Sequence, residues 1–249
     1  MNTILHELQR LRYRKWLIAQ SVLCLALLAV LAFYPGELET GHLFLAIGLW
    51  LLTSHGVLTY SLSALQTAAD VMTAFRCLLG VSGFLLAGYE REPSALVLTL
   101  VGLALVGDWI DGRLARAHGA TEHGAIFDAE TDQSIVMMLA VMVVNLTDME
   151  IWILLFPAYR YVYILLLERF DIPTDNPKPK QGRNARARLV CAFTVIILFA
   201  DLLPLVALEV KQTLSIIALL ALTYSFADDI FYNFTMRSSK ETSFQKPDS

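Results

Sequence analysis

The sequence predicts an all-α integral membrane protein of about eight transmembrane helices. Three observations carry that. The 249 residues are 56% hydrophobic and only 17% charged, against about 45–50% and about 25% for soluble domains. Mean hydropathy is +0.56. The apolar residues also come in blocks of about 20, the length that crosses a hydrocarbon core. They lack the period-2 alternation of barrel strands. A soluble enzyme, a disordered chain and a disulfide scaffold are excluded on composition, and the net charge of −4 speaks against nucleic acid as a partner.

The expected spans are 16–34, 43–62, 70–89, 94–114, 124–146, 149–168, 187–208 and 212–234. The first follows Arg10, Arg12, Arg14 and Lys15 and runs uncharged from Leu17 to Phe33, with no A-x-A-like site after it. It reads as a retained helix, not a cleaved signal. Ile4, Leu5, Leu8 and Leu11 recur at helical spacing, so residues 1–15 are expected to lie on the membrane surface. Residues 1–66 then form an accessory amphipathic start plus two helices. Residues 67–234 form a six-helix core dotted with charges, and 235–249 a polar cytoplasmic tail. Cys24, Cys77 and Cys191 lie in apolar blocks, far apart, and read as small buried hydrophobes.

Lys and Arg positions set the orientation. With both termini in the cytoplasm, fifteen of the 19 basic residues fall on that side, and only Arg91 and Lys211 fall opposite. That asymmetry follows the positive-inside rule and suits a bacterial inner membrane. Arg76 and Arg160 lie inside spans, where a cation needs an anionic partner. Arg160 is expected either to pair with Asp228 or Asp229 or to line a pocket.

The fourth span ends in Gly107-Asp108-Trp109-Ile110-Asp111-Gly112, and the fifth begins Gly124-Ala125-Ile126-Phe127-Asp128-Ala129-Glu130-Thr131-Asp132. Asp108 and Asp111 are three apart, Asp128 and Asp132 four apart, so each pair shares a helix face. The short connection makes the helices antiparallel neighbours and brings four carboxylates to one depth. They would repel unless protonated or neutralised by cations. Oxygen ligands without Cys or His suit Mg²⁺, Mn²⁺ or Ca²⁺, and a two-metal site suits displacement at phosphorus.

Together these residues read Asp-x-x-Asp-Gly-x-x-Ala-Arg-x(7)-Gly-x-x-x-Asp-x-x-x-Asp. This resembles the signature of the CDP-alcohol phosphatidyltransferases. The resemblance implies transfer of a phosphatidyl group from a CDP-linked lipid, usually CDP-diacylglycerol, to an alcohol, with release of CMP. It implies two metal ions held by Asp108, Asp111, Asp128 and Asp132, with Asp132 as base, and a homodimer. It places Gly112, Ala115, Arg116 and Gly124 at the CDP site. Asp70-x-x-Thr73-x-x-Arg76 is similar to a family element that usually starts with Asn, so Thr73 and Arg76 are expected donor contacts. His118 and His123 in the connecting loop read as interfacial residues.

The basic segment 178–188 contains Gly182, Arg183 and Arg186, which resemble a family element at the acceptor side. With Arg160 they are candidate acceptor contacts, and glycerol 3-phosphate is the best acceptor guess. Two rivals are an Asp-rich membrane prenyltransferase and a divalent-cation transporter. The first lacks the Gly-x-x-Ala-Arg continuation; the second wants carboxylates at mid-membrane, not at one edge. A family member that binds the donor without turnover would not need all four aspartates.

Overall fold

The computed structural model describes residues 2–33, 40–62, 65–119, 121–170 and 181–244, with side chains at all of these except 2–8, 40, 115, 118, 181–185 and 236–244. It is all-helical, 88% helix, with no strand among the described residues. The helices are α1 (Asn2–Phe33), α2 (Thr40–Leu62), α3 (Ala68–Ala87), α4 (Ala95–His118), α5 (Glu122–Leu146), α6 (Leu155–Arg169, entered by a 3-10 turn at Ile151–Leu154), α7 (Gln181–Asp201) and α8 (Leu208–Phe244). All but α7 are long and apolar enough to cross a membrane. The chain is an integral membrane protein.

α1 runs unbroken through 32 residues, about 48 Å at 1.5 Å per residue. No Pro, Gly or capping signal interrupts the register between the amphipathic start and the apolar run. The expected span 187–208 stops early. α7 ends at Asp201, and residues 202–207 are irregular. Pro204 disfavours helical geometry at Leu203 and removes a backbone donor.

Polar residues set the starts of α3, α4 and α5. Thr67 Oγ1 accepts from the Asp70 amide at 3.2 Å, Ser94 Oγ from the Val97 amide at 3.3 Å, and Thr121 Oγ1 from the Gly124 amide at 2.9 Å. Each satisfies an amide that has no partner in the first turn. Gly119, at φ 88°, turns the chain after α4, a conformation that favours glycine.

α5 is the central helix. Met137, Met138, Leu139, Ala140, Val141, Met142 and Val143 are buried in succession, so every face of it meets protein. α3 packs along α4 and against α5, α7 lies against α8, and α1 lies along α6. The α3–α4 approach is close: a Cβ on Gly83 would stand 2.9 Å from Val101 Cγ2. Small residues permit such packing where burial alone does not drive helices together.

Candidate active site

Arg76 stands at the centre of the acidic motif. It is 1% exposed, about two turns inside α3. Its Nη1 lies 2.5 Å from Asp111 Oδ2 and 2.9 Å from Asp128 Oδ1. Its Nη2 lies 2.5 Å from Asp132 Oδ1 and 3.3 Å from Asp108 Oδ1. Its Nε donates to the Ala104 carbonyl at 3.1 Å. All four carboxylates predicted to converge do so, around one cation. The planar guanidinium serves several acceptors at fixed angles, which an ammonium does not.

The site is open on one side. Asp111 is 4% exposed, whereas Asp108, Asp128 and Asp132 are 56%, 40% and 47% exposed. One basic charge among four carboxylates leaves an excess of three negative charges if all are ionised. Each carboxylate meets Arg76 through one oxygen, so a second remains for another cation. Asp108, Asp111 and Asp128 each offer an oxygen within 4.8 Å of the others. The donor set is all oxygen, as Mg²⁺ and Mn²⁺ require, so these residues fit a divalent ion.

Thr73 and Arg76, the expected donor contacts, both bond Asp111. Thr73 is buried and its Oγ1 donates to Asp111 Oδ2 at 3.2 Å. Both side chains are buried beneath the carboxylates. Gly124 is buried too. A Cβ there would overlap Asp70 Oδ1 and stand 2.8 Å from Thr121 Oγ1. Asp70 has its own task. Its Oδ2 accepts from the amides of Gln66 at 3.0 Å and Thr67 at 2.7 Å, completing a reciprocal cap on α3. The pattern Thr67-x-x-Asp70 was the available signal for that cap.

Gly107 also matters. A Cβ on it would overlap Arg76 Cγ and stand 2.9 Å from Arg76 Cδ. The bare backbone of α4 lets Arg76 pass beneath it to reach α5. Gly112 differs: a Cβ there would meet nothing closer than Arg116 Nη1, at 3.5 Å. Arg116 is exposed and lies over this bare stretch beyond the carboxylates. The Ala115 and Arg183 side chains lie outside the described residues.

Of the two expectations for Arg160, it lines a pocket, and the pair with Asp228 or Asp229 is replaced by two others. Arg160 Nη2 pairs with Glu130 Oε1, while Asp228 Oδ2 takes Arg186 Nη2 at 2.5 Å. Glu130, given no role from the sequence, is buried on α5 facing α6. Its signal was present: a carboxylate inside a span needs a partner.

This is a membrane-embedded acidic site on two adjoining helix ends, of the class that handles phosphate groups with divalent ions. The chain belongs to the CDP-alcohol phosphatidyltransferase family: the model of that family matches residues 66–226, roughly two thirds of the sequence and all four aspartates. No curated protein and no solved structure matches it. Family membership makes it a divalent-metal-dependent membrane transferase that moves a phosphatidyl group from a CDP-alcohol to an alcohol acceptor. α1 and α2 lie outside the matched segment.

Proposed function

We propose that the protein transfers the phosphatidyl group of CDP-diacylglycerol to the hydroxyl of a small alcohol, with glycerol 3-phosphate the leading acceptor, in phospholipid synthesis. The observation that carries this is the convergence of Asp108, Asp111, Asp128 and Asp132 at one open edge of a family-matched core. Residues 67–234 are the catalytic unit. The site faces the cytoplasm, where fifteen basic residues gather, and the cell membrane is a bacterial inner membrane. A homodimer fits the family.

The four aspartates would hold two Mg²⁺ or Mn²⁺ ions, which supply positive charge to the pyrophosphate and its leaving oxygen. Arg76 and Thr73 hold Asp111 in place from below. Asp132, nearly half exposed, accepts the proton of the attacking hydroxyl. The acceptor oxygen then bonds to the β-phosphorus, the bond from that phosphorus to the bridging oxygen breaks, and CMP leaves with that oxygen. Gly112 and Arg116 lie where a nucleotide phosphate can approach bare backbone and a guanidinium.

The test follows the label. CDP-diacylglycerol carrying ³²P at the β-phosphate is incubated with protein, Mg²⁺ and glycerol 3-phosphate. Label in the lipid product with unlabelled CMP supports the reading. Release of pyrophosphate from a prenyl diphosphate supplied in place of CDP-diacylglycerol, or divalent-cation flux in proteoliposomes without transfer, would favour the prenyltransferase or the transporter instead.

A further inference from the structure

A cavity of about 320 Å³ lies between α1, α5, α6, α7 and α8. Its wall includes Tyr13 and Leu17 of α1, Gln133 of α5, Arg160 of α6, and Cys191 and Thr194 of α7. Gln133 directly follows Asp132, the aspartate assigned as base, in α5. Two of the residues that line it bury a side-chain atom with no hydrogen-bond partner among the described residues: Arg160 Nε and Thr194 Oγ1. Thr194 is only 2% exposed. A buried polar atom left unpaired is costly, which points to a ligand with oxygen atoms.

Arg160 is held by a shared carboxylate. Glu130 Oε1 takes Arg160 Nη2 and also accepts from the Tyr13 hydroxyl at 3.0 Å. Tyr13 comes from α1, outside the family match. We infer that α1 completes the acceptor pocket, with Tyr13 as a positioning residue that sets Arg160 at the cavity through Glu130. This rests on the transferase reading. The volume is at the small end of ligand pockets, which run from about 300 to 1,000 Å³. With two unpaired groups on a mainly apolar wall, it suits a small polyol or its phosphate. α1 is thereby a specificity element and not membrane bulk.

The experiment compares wild type, Tyr13→Phe and Arg14→Ala in lipid nanodiscs. Arg14 makes a two-bond pair with Glu168 at 2.9 and 2.7 Å on the same helix pair but does not line the cavity. Glycerol 3-phosphate, serine, inositol, inositol phosphate, choline and phosphatidylglycerol are tried first, and the acceptor giving most CMP is used. Tyr13→Phe is expected to raise the acceptor KM roughly five- to tenfold, about the effect of one hydrogen bond, with kcat changed less than twofold and the donor KM unmoved. Arg14→Ala is expected to leave the acceptor KM alone. Maleimide labelling of Cys191, exposed while Cys24 and Cys77 are buried, gives a readout without turnover. The acceptor should slow it, and Tyr13→Phe should demand more acceptor for equal protection. An unchanged acceptor KM in an active Tyr13→Phe, an equal rise in both variants, or no protection of Cys191 overturns the inference alone. No CMP release from wild type with any acceptor overturns the transferase reading and the pocket assignment together.

Discussion

Arg76 and Asp111 form the buried pair at the floor of the acidic site, 2.5 Å apart with both side chains under 5% exposed. The other three carboxylates rise from this pair toward the open side. Arg76 therefore stands in as the cation that keeps the motif assembled before any ion binds.

Replacing Arg76 by Met removes that charge and leaves Asp111 buried and unpaired. Breaking a buried pair typically costs about 3–5 kcal/mol. Thermal unfolding without divalent ions should fall by several degrees, and Mg²⁺ should recover part of the loss. Arg76→Lys should recover less than half, since an ammonium cannot serve four carboxylates at once. Equal melting of Arg76→Met and wild type in chelator would contradict this role.

Gly107→Ala places a methyl group against Arg76 Cγ and Cδ. The side chain must shift, at about 1–3 kcal/mol for overpacking. Transfer activity should drop to about a tenth or less, because displacement by an ångström at a catalytic site costs about 10²-fold. Gly112→Ala, where the space is open, should perturb stability far less. Equal melting temperatures for the two variants would count against the packing argument.

Gly124→Ala drives a methyl group into the Asp70 carboxylate and disturbs the caps of α3 and α5 together. The expected loss is about 1–3 kcal/mol. Adding Asp70→Ala should cost less in the Gly124→Ala background than in wild type, because the clash is then relieved. Strict additivity of the two losses, read by thermal unfolding, would separate the positions.

The proposed orientation puts both chain ends on the side of the site. In inside-out vesicles, a membrane-impermeant thiol reagent should label Ser238→Cys and not Glu92→Cys. The reverse pattern would invert the topology.

Much of the fold was legible because helix length and hydropathy are local properties. The apolar blocks located all eight helices to within a few residues at most ends. Pro204 marked the end of α7, and its effect was readable but went unused. The four aspartates were legible because i, i+3 and i+4 spacing fixes a helix face. Their common partner was not. Arg76 lies 32 residues before Asp108 and reaches the motif only through the close α3–α4 packing that Gly83 and Gly107 permit. The same holds for Tyr13, Glu130 and Arg160, whose meeting depends on how α1, α5 and α6 cross. Pattern gives the side of a helix; which side meets which neighbour comes from packing.

The most direct test is CMP release from CDP-diacylglycerol by purified protein in lipid nanodiscs with Mg²⁺, across the panel of acceptors, with Asp132→Asn beside wild type. The account predicts acceptor-dependent release by wild type and a fall of about 10²–10⁴-fold in Asp132→Asn, the contribution of a positioned base. Release that continues undiminished in Asp132→Asn, or none from folded, metal-loaded wild type with any acceptor, would contradict it.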